Sequence, residues 1–464
     1  MHRVVSILFS NRTSGLLLIV FAISMAVATF IENDFGTETA KALIYSAKWF
    51  EIVIVLLAIN FAGNIAKYNL FSWKKAPIFI FHLAFIVIIL GAGITKYRSF
   101  EGLMTIKEGE SNDQIVSLEN YLQVQIGNGS VNKNYVSEPL RMSELGFNSF
   151  EENIAFEDKN INIRLKKFIP RAVYQIDSLN EGLQHLHVVV ANDGDRKDFY
   201  IPEGSRESIY GIPIAFKTDK QSKNDIQITD ESEGWQAIFP EDTNYFSMVL
   251  NKADYYPKDS LVPLQFKALS EIKGNSIVFN TVVDNSKRSI VSVEKKSERK
   301  NQESAVLLEV QSEDKTEEIT LFGGPGYMNP LTTLYLDDLH INLRYGSKAM
   351  NLPFALHLKD FILERYPGSE SPSAFYSNLE IQEKNKLTDY TIFMNNVLDY
   401  KGYRFFQSAY LPDESGTILA VNKDYWGTLV SYLGYLLLGI GMLLSLFWRS
   451  SHFGFLFQLL NLRK

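Results

Sequence analysis

The sequence predicts a membrane α-helical protein of four transmembrane helices that carries a large extracytoplasmic all-β, sandwich-like domain. Three observations lead there. Four apolar runs reach the roughly 17–25 residues that a bilayer crossing needs. Lys and Arg are partitioned between the two sets of helix ends, and apolar–polar alternation recurs between the third run and the fourth. The chain has 464 residues, 46% hydrophobic and 21% charged, which excludes wholesale disorder and low-complexity classes. It contains no cysteine, so disulfides, thiolate metal sites, iron–sulfur clusters and a Cys nucleophile are excluded. Net charge is −7 and no basic tract lies outside the membrane flanks, so nucleic acid is not an expected partner.

Residues 1–96 hold three of the helices, Ser14–Ile31, Phe50–Ala66 and Ala76–Thr95. Each can satisfy its backbone polar groups in lipid only as a helix. Ala26-Val27-Ala28 resembles a signal-peptide cleavage site, but the apolar stretch exceeds the 7–15 residues of a signal h-region, so the first run reads as a retained signal anchor. The second is interrupted by Asn60 and Asn64, four residues apart on one face, and carries Glu51 near one end. Residues 97–425 form the β-rich domain, and residues 426–464 the fourth helix, Trp426–Phe447, with a short tail.

Orientation follows from the helix flanks. One side holds Arg3, Arg12, Lys67, Lys74, Lys75, Arg449, Arg463 and Lys464, with no Asp or Glu in residues 1–13, 67–76 or 448–464. All 53 acidic residues and the other 38 basic ones fall on the opposite side. The positive-inside rule therefore puts both termini in the cytoplasm and the β domain in the periplasm, as a multi-pass protein of the inner membrane. Trp49, Trp73, Trp426 and Trp448 mark the interfaces.

Within 97–425, alternation appears in Leu122–Ile126, Ile161–Leu165, Ile319–Leu321, Leu339–Leu343, Ala355–Leu358 and Leu379–Ile381. Turn pairs such as Asn128-Gly129, Asp193-Gly194 and Pro367-Gly368 punctuate them. Lys287–Ser304 reads as a charged surface loop or linker; the region is either one domain or two subdomains, and a break between two would fall near residue 240.

His82 is the candidate functional residue. It stands within Phe79-Ile80-Phe81-His82-Leu83-Ala84-Phe85, inside the third helix, and no other histidine lies in a predicted span. An intramembrane ionisable residue is a functional candidate by default, because leaving water costs free energy unless a partner is gained. Seven residues separate it from Lys75, about 10 Å at the helical rise, which sets it in the cytoplasmic half. A neutral imidazole among aromatics suits either a haem-iron ligand or a structural hydrogen bond to a helix neighbour. If it ligates haem with a second axial ligand in the bilayer, that ligand comes from another polypeptide. His185 and His187 alternate on a strand but lack a third ligand nearby, and His340 and His357 are single residues on expected strands. Asn60 and Asn64 are expected to bond across helices. Gly91, Gly93, Gly434, Gly439 and Gly441 are expected to form close-packing surfaces. There is no phosphate-binding Gly-x-x-x-x-Gly-Lys-Ser/Thr loop, no His-Glu-x-x-His and no Gly-x-Ser-x-Gly elbow.

Several segments carry a family resemblance. Phe30-Ile31-Glu32-Asn33-Asp34-Phe35-Gly36-Thr37-Glu38-Thr39-Ala40, then Lys48-Trp49-Phe50-Glu51, resemble the ResB (CcsB) family of System II cytochrome c biogenesis. So do Phe81-His82 with Gly91-Ala92-Gly93-Ile94-Thr95, Leu352-Pro353-Phe354 with Leu358-Lys359-Asp360-Phe361, and Tyr400-Lys401-Gly402-Tyr403-Arg404-Phe405-Phe406-Gln407-Ser408. The layout of three helices, an outer domain and a fourth helix is similar too. The resemblance implies a haem-binding and scaffolding component of the complex that exports haem b and attaches it to apocytochrome c. Such a component acts with a CcsA-type partner, and His82 matches the position of an intramembrane haem ligand. No acid, base or nucleophile for attachment stands out, so the resemblance implies an accessory subunit rather than a whole enzyme. The alternative is a membrane-anchored assembly receptor with a periplasmic β domain and no cofactor.

Overall fold

The computed structural model describes residues 6–192, 195–219, 221–232, 234–293, 303–313, 315–336, 338–384 and 386–448. His2, Arg3, Arg449, His452, Arg463, Lys464 and the Asp193-Gly194 turn lie outside them. Four helices are long and apolar enough to cross a membrane. They are α1 (Asn11–Phe35), α2 (Lys48–Lys67), α3 (Ala76–Arg98) and α4 (Tyr425–Phe447). The helices overrun the apolar runs, and polar residues cap the starts of α1 and α4. Ser10 Oγ accepts the Thr13 N–H at 3.2 Å ahead of α1, and Asp424 Oδ1 accepts the Gly427 N–H at 3.2 Å ahead of α4. Between α1 and α2 the chain reverses at Gly36, with φ at +84°, and makes a helical turn, Thr37–Ala40, followed by a π-helical turn, Lys41–Tyr45. Trp73 before α3 and Trp448 after α4 have ring centroids 5.6 Å apart, so those two helix ends share one level.

Asn60 and Asn64 bond across helices. Asn60 is fully buried, donates to Leu8 O at 2.5 Å and accepts from Ser14 Oγ at 2.5 Å. Asn64 Nδ2 donates to Ser14 Oγ at 3.0 Å. These bonds fasten α2 to α1 and to the residues just before it.

α3 and α4 form a tight antiparallel pair, and small residues make it possible. A Cβ on Gly91 would lie 2.8 Å from Ser431 N, one on Gly434 2.6 Å from Ile88 Cγ1, and one on Gly441 3.1 Å from Phe81 N. Gly93 and Gly439 do not share this role, since a Cβ on either meets nothing within 4 Å. The expectation for those two is corrected: they lie off the contact line. Gly434→Leu is expected to cost about 1–3 kcal/mol by overpacking, and Gly439→Leu to be tolerated. Thermal unfolding of the two purified variants checks this.

The helix pair runs straight into the β region. Phe100–Lys107 follows α3 and Gly416–Lys423 precedes α4, and these strands pair antiparallel from Phe100↔Lys423 to Lys107↔Gly416. Thr95 Oγ1 donates to Asp424 Oδ2 at 2.6 Å where helix becomes strand.

Every regular element described between residues 100 and 423 is a strand. The two strands above are central in an eight-stranded sheet that rolls up. Ser377 Oγ, near one end of the strand order, donates to Gln407 Oε1, near the other, at 2.7 Å. Met104, Ile106, Leu356, Leu358, Phe405 and Leu419 fill its inside. Two four-stranded antiparallel sheets share a second core around Leu122, Val124, Ile161, Ile163, Leu308 and Ile341. The chain leaves that unit after Lys159–Ile169 and rejoins it at Ser304–Ser312, which pair with each other. Between them, Ala172–Asn192 and Asn275–Ser292 form a long two-stranded ribbon. The ribbon carries a six-stranded and a five-stranded sheet around Leu186, Val188, Ile214, Ile228 and Phe279. Residue 240 lies inside this third core, between Phe239 and Tyr256, so the break expected there is corrected: the apolar contacts run across it. The expected 287–304 loop is corrected in part. Residues up to Ser292 belong to the ribbon, Ser304 begins a strand, and 294–302 lie outside the described residues. Lys197 Nζ to Glu303 Oε2 at 2.6 Å ties the inserted unit to the connecting chain.

Candidate functional site

His82 occupies the second turn of α3, which Pro77 opens. Its Nδ1 lies 2.9 Å from Ile78 O, one turn earlier. A carbonyl oxygen only accepts, so Nδ1 carries the proton in this bond. In the neutral ring Nε2 then keeps its lone pair. The helix hydrogen bond of one sequence reading is made by Nδ1, and Nε2 is the nitrogen that the ligand reading would use.

Aromatic side chains fix the ring's setting. Phe61 of α2 meets it edge-on at 5.5 Å and 86°, and Phe81 at 6.3 Å and 66°. Phe85 stacks on Phe61 at 5.0 Å and packs edge-on to Phe81 at the same distance. Phe61 is buried, whereas His82 is half-buried, so one side of the imidazole is walled and the other is open. Among the described residues no side chain bonds Nε2. An imidazole locked through Nδ1, with a free Nε2 in an apolar surround, has the donor chemistry of a haem ligand. Among the described residues no cluster of three or more His, Asp or Glu could hold a bare metal ion.

Three of the other described histidines have a local hydrogen-bond partner. His187 donates or accepts on both sides, with Nε2 2.8 Å from Asp198 Oδ1, Nδ1 3.0 Å from Asn280 Nδ2, and its ring stacked on Tyr200 at 4.5 Å. His357 Nδ1 lies 3.2 Å from Ser111 Oγ. His185 is buried, with Nδ1 2.9 Å from Ser286 Oγ. His185 and His187 share no ligand.

Burial, and then the Arg288 guanidinium, push the His185 imidazole below its ordinary range. Its unfolded form titrates near ~6.5, so the native state binds the proton less readily than the unfolded chain. The contribution of His185 is then fully present above that value and is lost as pH falls below it. Denaturant unfolding at pH 7.5 and pH 5.5 is expected to show this loss, and His185→Gln is expected to flatten it.

The sequence reading missed the polar elbow at the opposite ends of α2 and α3. Glu51 Oε1 accepts from Lys96 Nζ at 2.8 Å and from Tyr97 Oη at 2.6 Å, and Oε2 lies 3.3 Å from Lys48 Nζ. Glu32 Oε1 accepts from Thr37 Oγ1 at 2.9 Å, and Oε2 from Tyr45 Oη at 3.5 Å. In the sequence Glu51 registers as an interruption of an apolar run and as the last residue of a resemblance segment, with no partner named for it. The signal lies in the Phe30–Ala40 and Lys48–Glu51 segments, which fold together into this elbow.

The later resemblance segments build the rolled sheet. Phe354 packs edge-on to Tyr400 at 4.8 Å, Tyr403 at 6.0 Å and Phe405 at 6.1 Å. Tyr400 Oη donates to Glu383 Oε2 at 2.8 Å, and Lys359 Nζ pairs with Glu380 at 2.9 Å and Asp389 at 2.6 Å.

Comparison with known proteins agrees with these positions. Residues 332–425 match the ResB-like family, a span that holds the Phe354 and Tyr400–Ser408 segments and ends at the first residue of α4. Protein NrfI of Wolinella succinogenes is 30% identical over 451 residues, which is 96% of this chain and 35% of that protein. The chain thus spans about a third of the length of the curated relative it matches. On these two findings, the chain belongs to the ResB-like family.

Proposed function

We propose that this chain works in cytochrome c biogenesis, handling haem b within the membrane and serving as scaffold for a CcsA-type partner and apocytochrome c. The observation that carries the reading is His82, whose Nδ1 is committed to Ile78 O while Nε2 remains free among Phe61, Phe81 and Phe85. His82 Nε2 would hold haem iron from this chain, with a further ligand supplied by the partner. This chain's own residues hold and orient. Ile78 sets the tautomer, Phe61 and Phe81 set the ring plane, and the glycine-packed α3–α4 pair holds that ring in fixed relation to Phe100↔Lys423 at the base of the rolled sheet. The basic flanks support an inner-membrane placement with cytoplasmic termini and a periplasmic β region that meets apocytochrome.

The test is to purify the chain alone and together with its CcsA-type partner, and to record absorption spectra of both. A Soret band in the co-purified pair is the expected result. A stable pair without haem absorption would favour a receptor that anchors a β domain and binds no cofactor.

A further inference from the structure

One loop of the β region is built rigidly and yet presents its apolar tip to the outside. Met142 is buried at one end of it, in the core shared by the two four-stranded sheets. Asn148 closes it on Ser143, accepting the Ser143 N–H at 2.7 Å and donating to Ser143 O at 2.8 Å. Ser143 Oγ accepts the Leu145 N–H at 3.1 Å, and Glu144 Oε2 accepts from Arg171 Nη1 at 2.7 Å. Within this frame Leu145 is 50% exposed and Phe147 is 108% exposed, the largest value among the exposed apolar residues. A scattered exposed leucine is ordinary, but a phenylalanine held out by a hydrogen-bonded loop implies something that covers it.

The loop's neighbours indicate what that is. The Glu144 N–H donates to Thr39 Oγ1 at 3.3 Å, and a Cβ on Gly146 would lie 3.4 Å from Leu43 Cδ2. Thr39 and Leu43 belong to the elbow between α1 and α2. Leu43 O accepts the indole N–H of Trp49 at 2.9 Å. Trp49 lies in the first turn of α2, half-exposed, beside the solvated Lys48. A Trp–Lys pair at the start of an apolar helix marks the depth of a membrane interface. Gly146 thus sits one side chain away from that depth, and Phe147 is the next residue.

We propose that Leu145 and Phe147 dip into the bilayer leaflet on the β region's side, as a membrane contact separate from the four helices. With the α3–α4 stalk it fixes the tilt of the β region over the membrane. This rests on reading α1–α4 as bilayer-spanning. The occupant is lipid, because the loop continues the surface at which α2 enters the apolar layer, and partial immersion of a few apolar side chains is how interfacial segments bind.

The chain has no cysteine, so single nitroxide labels can be placed cleanly on the full protein in lipid nanodiscs. Phe147→Cys is the test site. Leu436→Cys, on the exposed face of α4, reports the bilayer, and Ser369→Cys reports water. Strand register carries Ser369 away from the helices, since Ala349 pairs beside the base of the sheet and Arg365 lies at the far end of the same strand. The expected result is an oxygen-to-chelate accessibility ratio at 147 close to that at 436 and several-fold above that at 369. A ratio at 147 equal to that at 369 overturns the proposal. So does a label at 147 that is immobilised and shielded from both reagents, which would mean a protein cover. Chelate access at 436 would instead overturn the spanning reading, and the loop's insertion with it.

Discussion

Replacing His82 with alanine is expected to lower the haem content of the co-purified complex by on the order of 10–100-fold or more, the range that even outer-shell changes at metal sites produce. Added imidazole is expected to restore it. The physical reason lies in the wall around the ring. Phe85 packs on both Phe61 and Phe81, the two rings that meet His82, so the walls beside the space vacated by the imidazole stay braced when that ring is removed. Free imidazole can then occupy it. Haem content and Soret intensity measured with and without imidazole check both halves. Unchanged haem content in His82→Ala would remove this residue from the site.

The second large effect is expected in the β region. Phe354→Ala should destabilise the rolled eight-stranded sheet by about 3–5 kcal/mol, the range for truncating a buried aromatic. Phe354 is 4% exposed and meets Tyr400, Tyr403 and Phe405 with three edge-on contacts, which close one part of the roll on another. The roll's central strands are the continuations of α3 and α4, so the loss should also loosen the outer ends of both helices. Denaturant unfolding followed by far-ultraviolet circular dichroism measures the cost. Phe354→Leu, which keeps most of the volume, should lose much less.

Much of this architecture is legible in the residues. The apolar runs located all four helices to within a few residues at each end, because lipid permits only one satisfied backbone there. Part of the difference comes from caps, since Ser10 and Asp424 start helices that hydropathy alone begins later, and part from polar last turns that continue α1 to Phe35 and α3 to Arg98. All six alternating stretches lie in strands, because one face of each is buried. Pairing was not legible. Nothing local marks Lys159–Ile169 and Ser304–Ser312 as neighbours across more than 130 residues of intervening chain, and the ribbon that connects them to the inserted unit is polar over Asp177–Gln184. Glycine roles were half legible: composition identifies small residues, but only the crossing line of α3 and α4 separates Gly91, Gly434 and Gly441 from Gly93 and Gly439. At His82 the residue type gave the candidate. Which nitrogen is free depends on the ring's rotamer over Ile78, and that is a property of the folded helix.

The central claim is that the imidazole at position 82 is this chain's ligand to haem iron. Because the chain has no thiol of its own, His82→Cys puts a single sulfur at that position. Low-temperature electron paramagnetic resonance of the oxidised haem complex then distinguishes the ligand directly. The account predicts an imidazole-ligated signal in the native chain that is replaced by a thiolate-type signal in His82→Cys. An identical signal in both chains would contradict it.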